Sequence, residues 1–150
     1  VFMLKLDLVN TYASLIITYA TFALPFSTWM LKAYFDTVPV DLEEAAKVDG
    51  CNQIQALTKI ILPLAAPGIV TVALFIFVLA WHEYMFALPL PSTTEMRTLP
   101  VGISLFLGEF RTLWGNLMAG SVVVTAPVVV FFVYLQRYIV QGLTLGAVKG

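Results

Sequence analysis

Most of the side chains that could do chemistry in this 150-residue chain sit in one polar interlude. Asp36, Asp41, Glu43, Glu44 and Asp49 are five of its nine acids, and residues 41–63, DLEEAAKVDGCNQIQALTKIILP, separate two long apolar runs. Acids grouped this way favour a basic rim on a protein partner, which sets register and on-rate more than raw affinity. The second cluster is Trp81-His82-Glu83-Tyr84. It lies about 27 Å beyond Leu64 at roughly 1.5 Å per helical residue, near the outer edge of a bilayer core. Trp and Tyr there anchor a helix at the interface, the favoured reading; they also stack on sugar rings, so Trp81, His82, Glu83 and Tyr84 remain candidates for a substrate pathway. His82 has no neighbours spaced for zinc, so no metal site is expected. Cys51 is the one cysteine, which excludes an internal disulfide and a cysteine metal cluster. There is no phosphate-binding loop and no nucleophile elbow, so the chain is not expected to be an enzyme or to hold a cofactor of its own.

The elements that position these residues are membrane helices. The composition is 60% hydrophobic and 11% charged, against roughly 25% charged in a soluble domain. Net charge is −1 and no basic run exists, which argues against nucleic acid. Residues 8–31, 64–81 and 115–136 carry no charge. About 20 apolar residues suffice to cross a bilayer core, so the expected fold is all-α: a polytopic membrane helical bundle with three transmembrane spans, at about 11–34, 64–88 and 116–138. Pro25 and Pro127 fall inside spans and should kink them, while Pro67 is expected in a first turn, where its missing N–H costs little. Gly115, Ala119, Gly120, Ser121, Thr125 and Ala126 give the third span small residues suited to close packing. Lys32, Lys47, Lys59, Arg137 and Lys149 against Lys5, Arg97 and Arg111 place the 32–63 loop and the C-terminus on the cytoplasmic side. Residues 137–150 read as a solvated tail.

Within the interlude, Asp41 with Glu44 three positions on has capping-box spacing. Leu42, Ala45, Ala46 and Asp49 then share one side of a short helix, and Gly50 supplies a left-handed stop. Ile54, Leu57, Ile60 and Ile61 form the apolar face of a second helix, which Leu62-Pro63 closes. A helix resting on a membrane is usually basic; this one is acidic, which shifts the reading toward a groove on a cytoplasmic protein.

Glu44-Ala45-Ala46-x3-Gly50-x9-Ile60-x-Leu62-Pro63 resembles the loop signature of membrane subunits of bacterial ATP-binding-cassette (ABC) importers. EEAAKVDG, residues 43–50, is similar to the version in carbohydrate-uptake, MalG-like permeases. Trp81-His82-Glu83-Tyr84 resembles that family's W-N-E-F stretch, with His82 for Asn, and Cys51-Asn52 stand where Ala-Ser is usual. The ending, Gln136-Arg137-Tyr138 through Gly142-Leu143-Thr144 to Gly146-Ala147-Val148-Lys149-Gly150, is also similar. The resemblance implies the C-terminal half of a six-span permease fold; the chain starts at Val1 rather than Met, and an upstream portion is expected. It implies a multi-pass inner-membrane subunit that moves a sugar by alternating access. Its partners would be ABC ATPase subunits, a second permease, an extracytoplasmic solute-binding protein and membrane lipid. ATP would be bound by the ATPase, and residues 39–63 would be a cytoplasmic coupling loop. Glu44, Ala45, Ala46, Gly50, Leu62 and Pro63 would transmit the ATPase movement. A non-sugar solute such as glycerol phosphate, or an inactive truncated remnant, are the alternatives.

Overall fold

The computed structural model describes residues 2–90, 93–108 and 112–147, with side chains described in the last helix as far as residue 138. Arg111 and Lys149 of the charge count, Phe110 of the outer loop, Val1, and Val148 and Gly150 of the C-terminal signature lie outside the described residues.

The elements are helical throughout: α1 (Phe2–Lys5), α2 (Tyr12–Phe35), α3 (Asp41–Val48), α4 (Gln53–Ala56), a π-helical segment (Leu57–Ile61), α5 (Leu62–Trp81), a 3-10 turn (Thr94–Met96), α6 (Leu99–Ser104) and α7 (Trp114–Ala147). Among the described residues the only extended pairing is an isolated bridge between Leu107 and Thr112. Three helices among the described residues are long and apolar enough to cross a membrane: Tyr12–Phe35, Gln53–Trp81 and Trp114–Tyr138. Large apolar side chains along them, such as Ile16, Trp29, Val122 and Val130, are exposed. In a chain of this composition, that surface is suited to lipid and neighbouring helices.

Three sequence expectations about these helices need correction. The second long helix stops at Trp81 rather than continuing to residue 88. The Glu83 carboxylate accepts hydrogen bonds from the Phe86 and Ala87 N–H groups, each at 2.9 Å, and winds the chain into turns instead. Pro67 lies inside the helix, not in its first turn, because α4, the π segment and α5 run on without a break. The presumed tail is helical to Ala147; no proline follows Pro127, and Gly142 and Gly146 do not end the helix.

By contact density the chain forms two compact units: Val1–Leu24 with Phe77–Phe131, and Pro25–Ile76 with Phe132–Gly150. In the first, Leu15, Ala87 and Val101 form a buried cluster with Tyr19 and Leu90 packed against it. The Thr11 hydroxyl accepts from the Ser14 N–H at 3.3 Å and so starts α2. Asn10, at φ +63°, ties this corner to the loop after α5. Its N–H donates to the Leu90 carbonyl, and its Oδ1 accepts from both the N–H and the hydroxyl of Thr93.

In the second unit, α5 buries Ala65, Gly68 and Thr71, spaced three apart on one face. Gly68 lies directly under the Tyr34 ring of α2, with no room for a Cβ. Small residues let helices approach this closely without a clash. Gly68→Val should therefore lower the stability of the full-length permease in detergent by about 1–3 kcal/mol, the usual range for overpacking, read as a drop in thermal midpoint. Gly115→Ala, where nothing lies within 4 Å of the added Cβ, should not lower it.

Candidate functional site

The acidic segment folds as a bent, internally locked unit. In α3, Asp41, Glu43 and Glu44 occupy the first turn and Lys47 the last, so the charges oppose the helix dipole. Glu43 pairs with Lys47 at 2.7 Å one turn on. The expected Asp41–Glu44 capping box is absent: Val40 is the cap residue and makes no side-chain bond. Pro39 accepts from Leu42, and Val40 from Glu43 and Glu44, so the helix starts one residue earlier than the acid pattern suggested and Asp41 is already inside it.

The far end does follow the sequence reading. Gly50 has φ +82°, the left-handed conformation that costs other residues roughly 1–2 kcal/mol. Cys51 N–H donates to the Ala46 carbonyl and Gly50 N–H to that of Lys47, the paired 6→1 and 5→2 bonds of a Schellman stop. An added Cβ at Gly50 would meet nothing within 4 Å, so backbone conformation alone makes glycine necessary. Immediately after the bend, Asn52 and Gln55 form the reciprocal capping box: Oδ1 of Asn52 accepts from Gln55 N–H at 2.9 Å, and Oε1 of Gln55 accepts from Asn52 N–H at 3.0 Å. The departure at Asn52 is thus conservative, because asparagine and serine cap equally well. The N-x-x-Q spacing was the available signal for it.

Leu62-Pro63 does not close a second helix, as had been expected. The i→i+5 turns of Leu57–Ile61 pass the chain through into α5. A wide turn is one way to relieve the clash between a proline ring and the carbonyl four residues before it. The extra residue also turns what precedes it: Ile54 is 73% exposed and Leu57 is exposed too, while Ala56 is buried. Of the anticipated apolar face, Ile54 and Leu57 are therefore exposed, while Ile60 and Ile61 are half-buried. α3 packs against α4 and the π segment, and this splits the alanines: Ala46 is 1% exposed whereas Ala45 is exposed. Glu44, Gly50, Leu62 and Pro63 are exposed as well. Val48, 88% exposed, and Ile54 add large apolar surface to this acidic element.

Trp81, His82, Glu83 and Tyr84 take separate tasks. Trp81 Nε1 donates to the Val124 carbonyl in α7 at 3.0 Å, one residue beyond the carbonyl that Pro127, having no N–H, leaves unmet. Its ring lies 5.4 Å from Phe77, which in turn lies 4.9 Å from Phe131. Glu83 holds the following turn, and His82 and Tyr84 are exposed. One face of Trp81 does border a cavity of about 340 Å³, shared with Tyr12, Glu95, Arg97, Thr98 and Leu99. Of these only Trp81 stood out as a site residue in the sequence; the E-M-R triplet at residues 95–97 was the missed cue.

Residues 1–145 match the family model described as binding-protein-dependent transport system inner membrane component. The chain belongs to this family. It is 48% identical over 150 residues to the trehalose/maltose transport system permease protein MalG of Thermococcus litoralis, covering 99% of this chain and 54% of that protein. It is 47% identical over 147 residues to the trehalose transport system permease protein SugB of Mycobacterium tuberculosis, covering 97% and 54%. The sulfoquinovosyl glycerol transport system permease protein SmoH of Agrobacterium fabrum is 45% identical over 148 residues, covering 99% and 52%. The chain therefore spans about half the length of the curated relatives it matches. An inner membrane transport component accounts for the three long apolar helices.

The rigidity can be checked. Asn52→Ala removes the Oδ1 acceptor of the capping box and should cost about 0.5–2 kcal/mol locally. Hydrogen exchange at the Gln55 amide of the full-length permease should accelerate accordingly, while Asn52→Ser should restore protection.

Proposed function

We propose that this chain is part of a membrane-spanning permease subunit of a bacterial ATP-binding-cassette importer. The subunit moves a sugar or oligosaccharide inward across the cytoplasmic membrane by alternating access. Energy comes from a partner ATPase, which binds and hydrolyses the ATP; a second permease completes the path, and an extracytoplasmic binding protein delivers the solute. The family's description as a binding-protein-dependent component supports the delivery step, and the trehalose, maltose and related glycoside names of its relatives support a saccharide cargo.

The observation that carries the mechanism is the doubly locked bend at Gly50. A lever transmits displacement only if it does not flex, and here a Schellman stop and a capping box fix the angle between α3 and the helix that becomes α5. In this reading the segment lies on the cytoplasmic side, where the lysine and arginine bias places it. Glu44, Ala45, Val48 and Ile54 present its docking surface to the ATPase. Ala46 acts differently: buried, it keeps α3 close to α4 and the π segment so that the two move together. Leu62 and Pro63 join the docking piece to the second span.

Gly50→Val forces a β-branched residue toward a conformation it strongly disfavours. In the full-length permease assembled with its partners, sugar uptake should fall at least about tenfold, the effect of roughly 1.4 kcal/mol, while the ATPase still hydrolyses ATP. Normal uptake would discard the lever. In a Cys51→Ser background, Ala45→Cys should cross-link to the ATPase subunit; capture of lipid alone in an active complex would discard the docking surface.

A further inference from the structure

The third span differs from the other two in the size of what it exposes. From Ala119 to Val130 no side chain of α7 is larger than valine. The exposed residues of α2 and α5 are bulky: Ile16, Leu24 and Trp29 in the first, Leu64, Phe75 and Leu79 in the second. Yet the third span is the least covered. In its most apolar stretch 6% of the residues are buried, against 28% in the Gln53–Trp81 helix. A helix that is apolar all round has more than one side to cover.

One side of α7 is covered within its own compact unit. A Cβ added at Gly120 would come within 3.1 Å of Ile103 in α6. Val124 is buried and its carbonyl takes the Trp81 indole N–H, and the Phe131 ring lies 4.9 Å from Phe77. At about 100° per residue these three positions fall on one stripe. Turned away from that stripe is an open groove of about 430 Å³, formed by Ser121, Val122, Thr125, Ala126, Val129 and Val130. All six are exposed. The Ser121 hydroxyl donates to the Leu117 carbonyl and the Thr125 hydroxyl to that of Ser121, each at 2.8 Å, so neither needs a polar partner from outside.

Such a groove fits another apolar helix. Small residues four apart, here Ser121 and Thr125, let two backbones approach closely, and close packing is what associates helices in lipid. Two observations indicate where that helix comes from. The matched stretch is 54% of the Thermococcus and Mycobacterium permeases and 52% of the Agrobacterium one, so a permease of their length carries about as much polypeptide again. The groove also has no charge and no uncommitted hydroxyl donor. It therefore lacks the directional groups by which a separate chain is selected and held in register. A helix tethered to the same chain needs no such selection, because the tether raises its effective concentration.

We propose that the outer groove of α7 seats an apolar transmembrane helix supplied by the same polypeptide outside these 150 residues. Neither the cargo nor the ATPase enters this inference, which needs only a permease of the relatives' length.

The test uses the full-length permease with its partner subunits in native membranes. Val122, 70% exposed on the groove's rim, is replaced by the photo-cross-linker p-benzoylphenylalanine. Irradiation should join it to a peptide of the same polypeptide lying outside the present sequence, mapped by mass spectrometry. In the purified complex Ala126→Leu should lower the thermal midpoint by on the order of 5 °C, the effect of overpacking a helix contact. Val123→Leu, equally exposed but outside the groove, should leave it unchanged. Capture of a second permease subunit, of another copy of this chain, or of lipid alone overturns the proposal. So does an Ala126→Leu variant as stable as the unmodified protein, since a lipid-facing alanine tolerates bulk. If Ala126→Leu prevents assembly, the Val122 cross-link decides alone.

Discussion

Inside a bilayer no water is available to complete a backbone hydrogen bond, so each polar group must find its partner within protein. That constraint organises this chain. Its long helices contain Pro25, Pro63, Pro67 and Pro127, none of which can donate. Around Pro63 the chain responds with wide π turns. Beside Pro127 the Trp81 indole supplies a donor from another helix. Five serine and threonine hydroxyls obey the same rule: Thr18, Thr21, Thr71, Ser121 and Thr125 each donate to the carbonyl four residues earlier. The Thr71 hydroxyl makes that bond to the carbonyl of Pro67 itself. Such residues can face lipid or another helix without an unmet polar group, so Ser121 and Thr125 remain outside the buried core.

Against that background the acidic segment is unusual in being polar and stiff together. Its stiffness does not come from a large core, since most of its side chains are exposed. It comes from backbone bonds at the two sides of one glycine and from a pair of alanines, Ala46 and Ala56, that let short helices touch. A unit held this way keeps its shape while offering its surface to something else. The exposed Val48 and Ile54 fit that arrangement, because a surface kept free for a partner carries apolar residues among its charges.

What the sequence revealed depended on the range of the interaction. Three apolar runs and the Gly50 stop were legible because both are local: spans follow from length and hydropathy, and only glycine sits easily at positive φ. The capping box was assigned to Asp41 and Glu44 instead of Asn52 and Gln55, because the two patterns are chemically equivalent and only the backbone decides where a helix starts. Leu62-Pro63 looked like a stop because a π insertion leaves no compositional trace. Trp81 looked like an interface anchor, and its partner lies 43 residues away; nothing local could have named Val124. The cavity groups were harder still, since Tyr12 and Arg97 meet only through the folded loop.

The buried position of Ala46 and Ala56 bears on how this region is best probed by mutagenesis. Replacement by alanine, the usual way to survey a surface, is silent at Ala45, Ala46, Ala56 and Ala65, where the chain already has the truncated side chain. The positions that hold the segment together would therefore go unrecorded, and its working parts would look confined to the charges. A survey that adds bulk step by step, from serine to valine to leucine, would map instead where two backbones come within touching distance. In this protein the informative substitutions are those that enlarge.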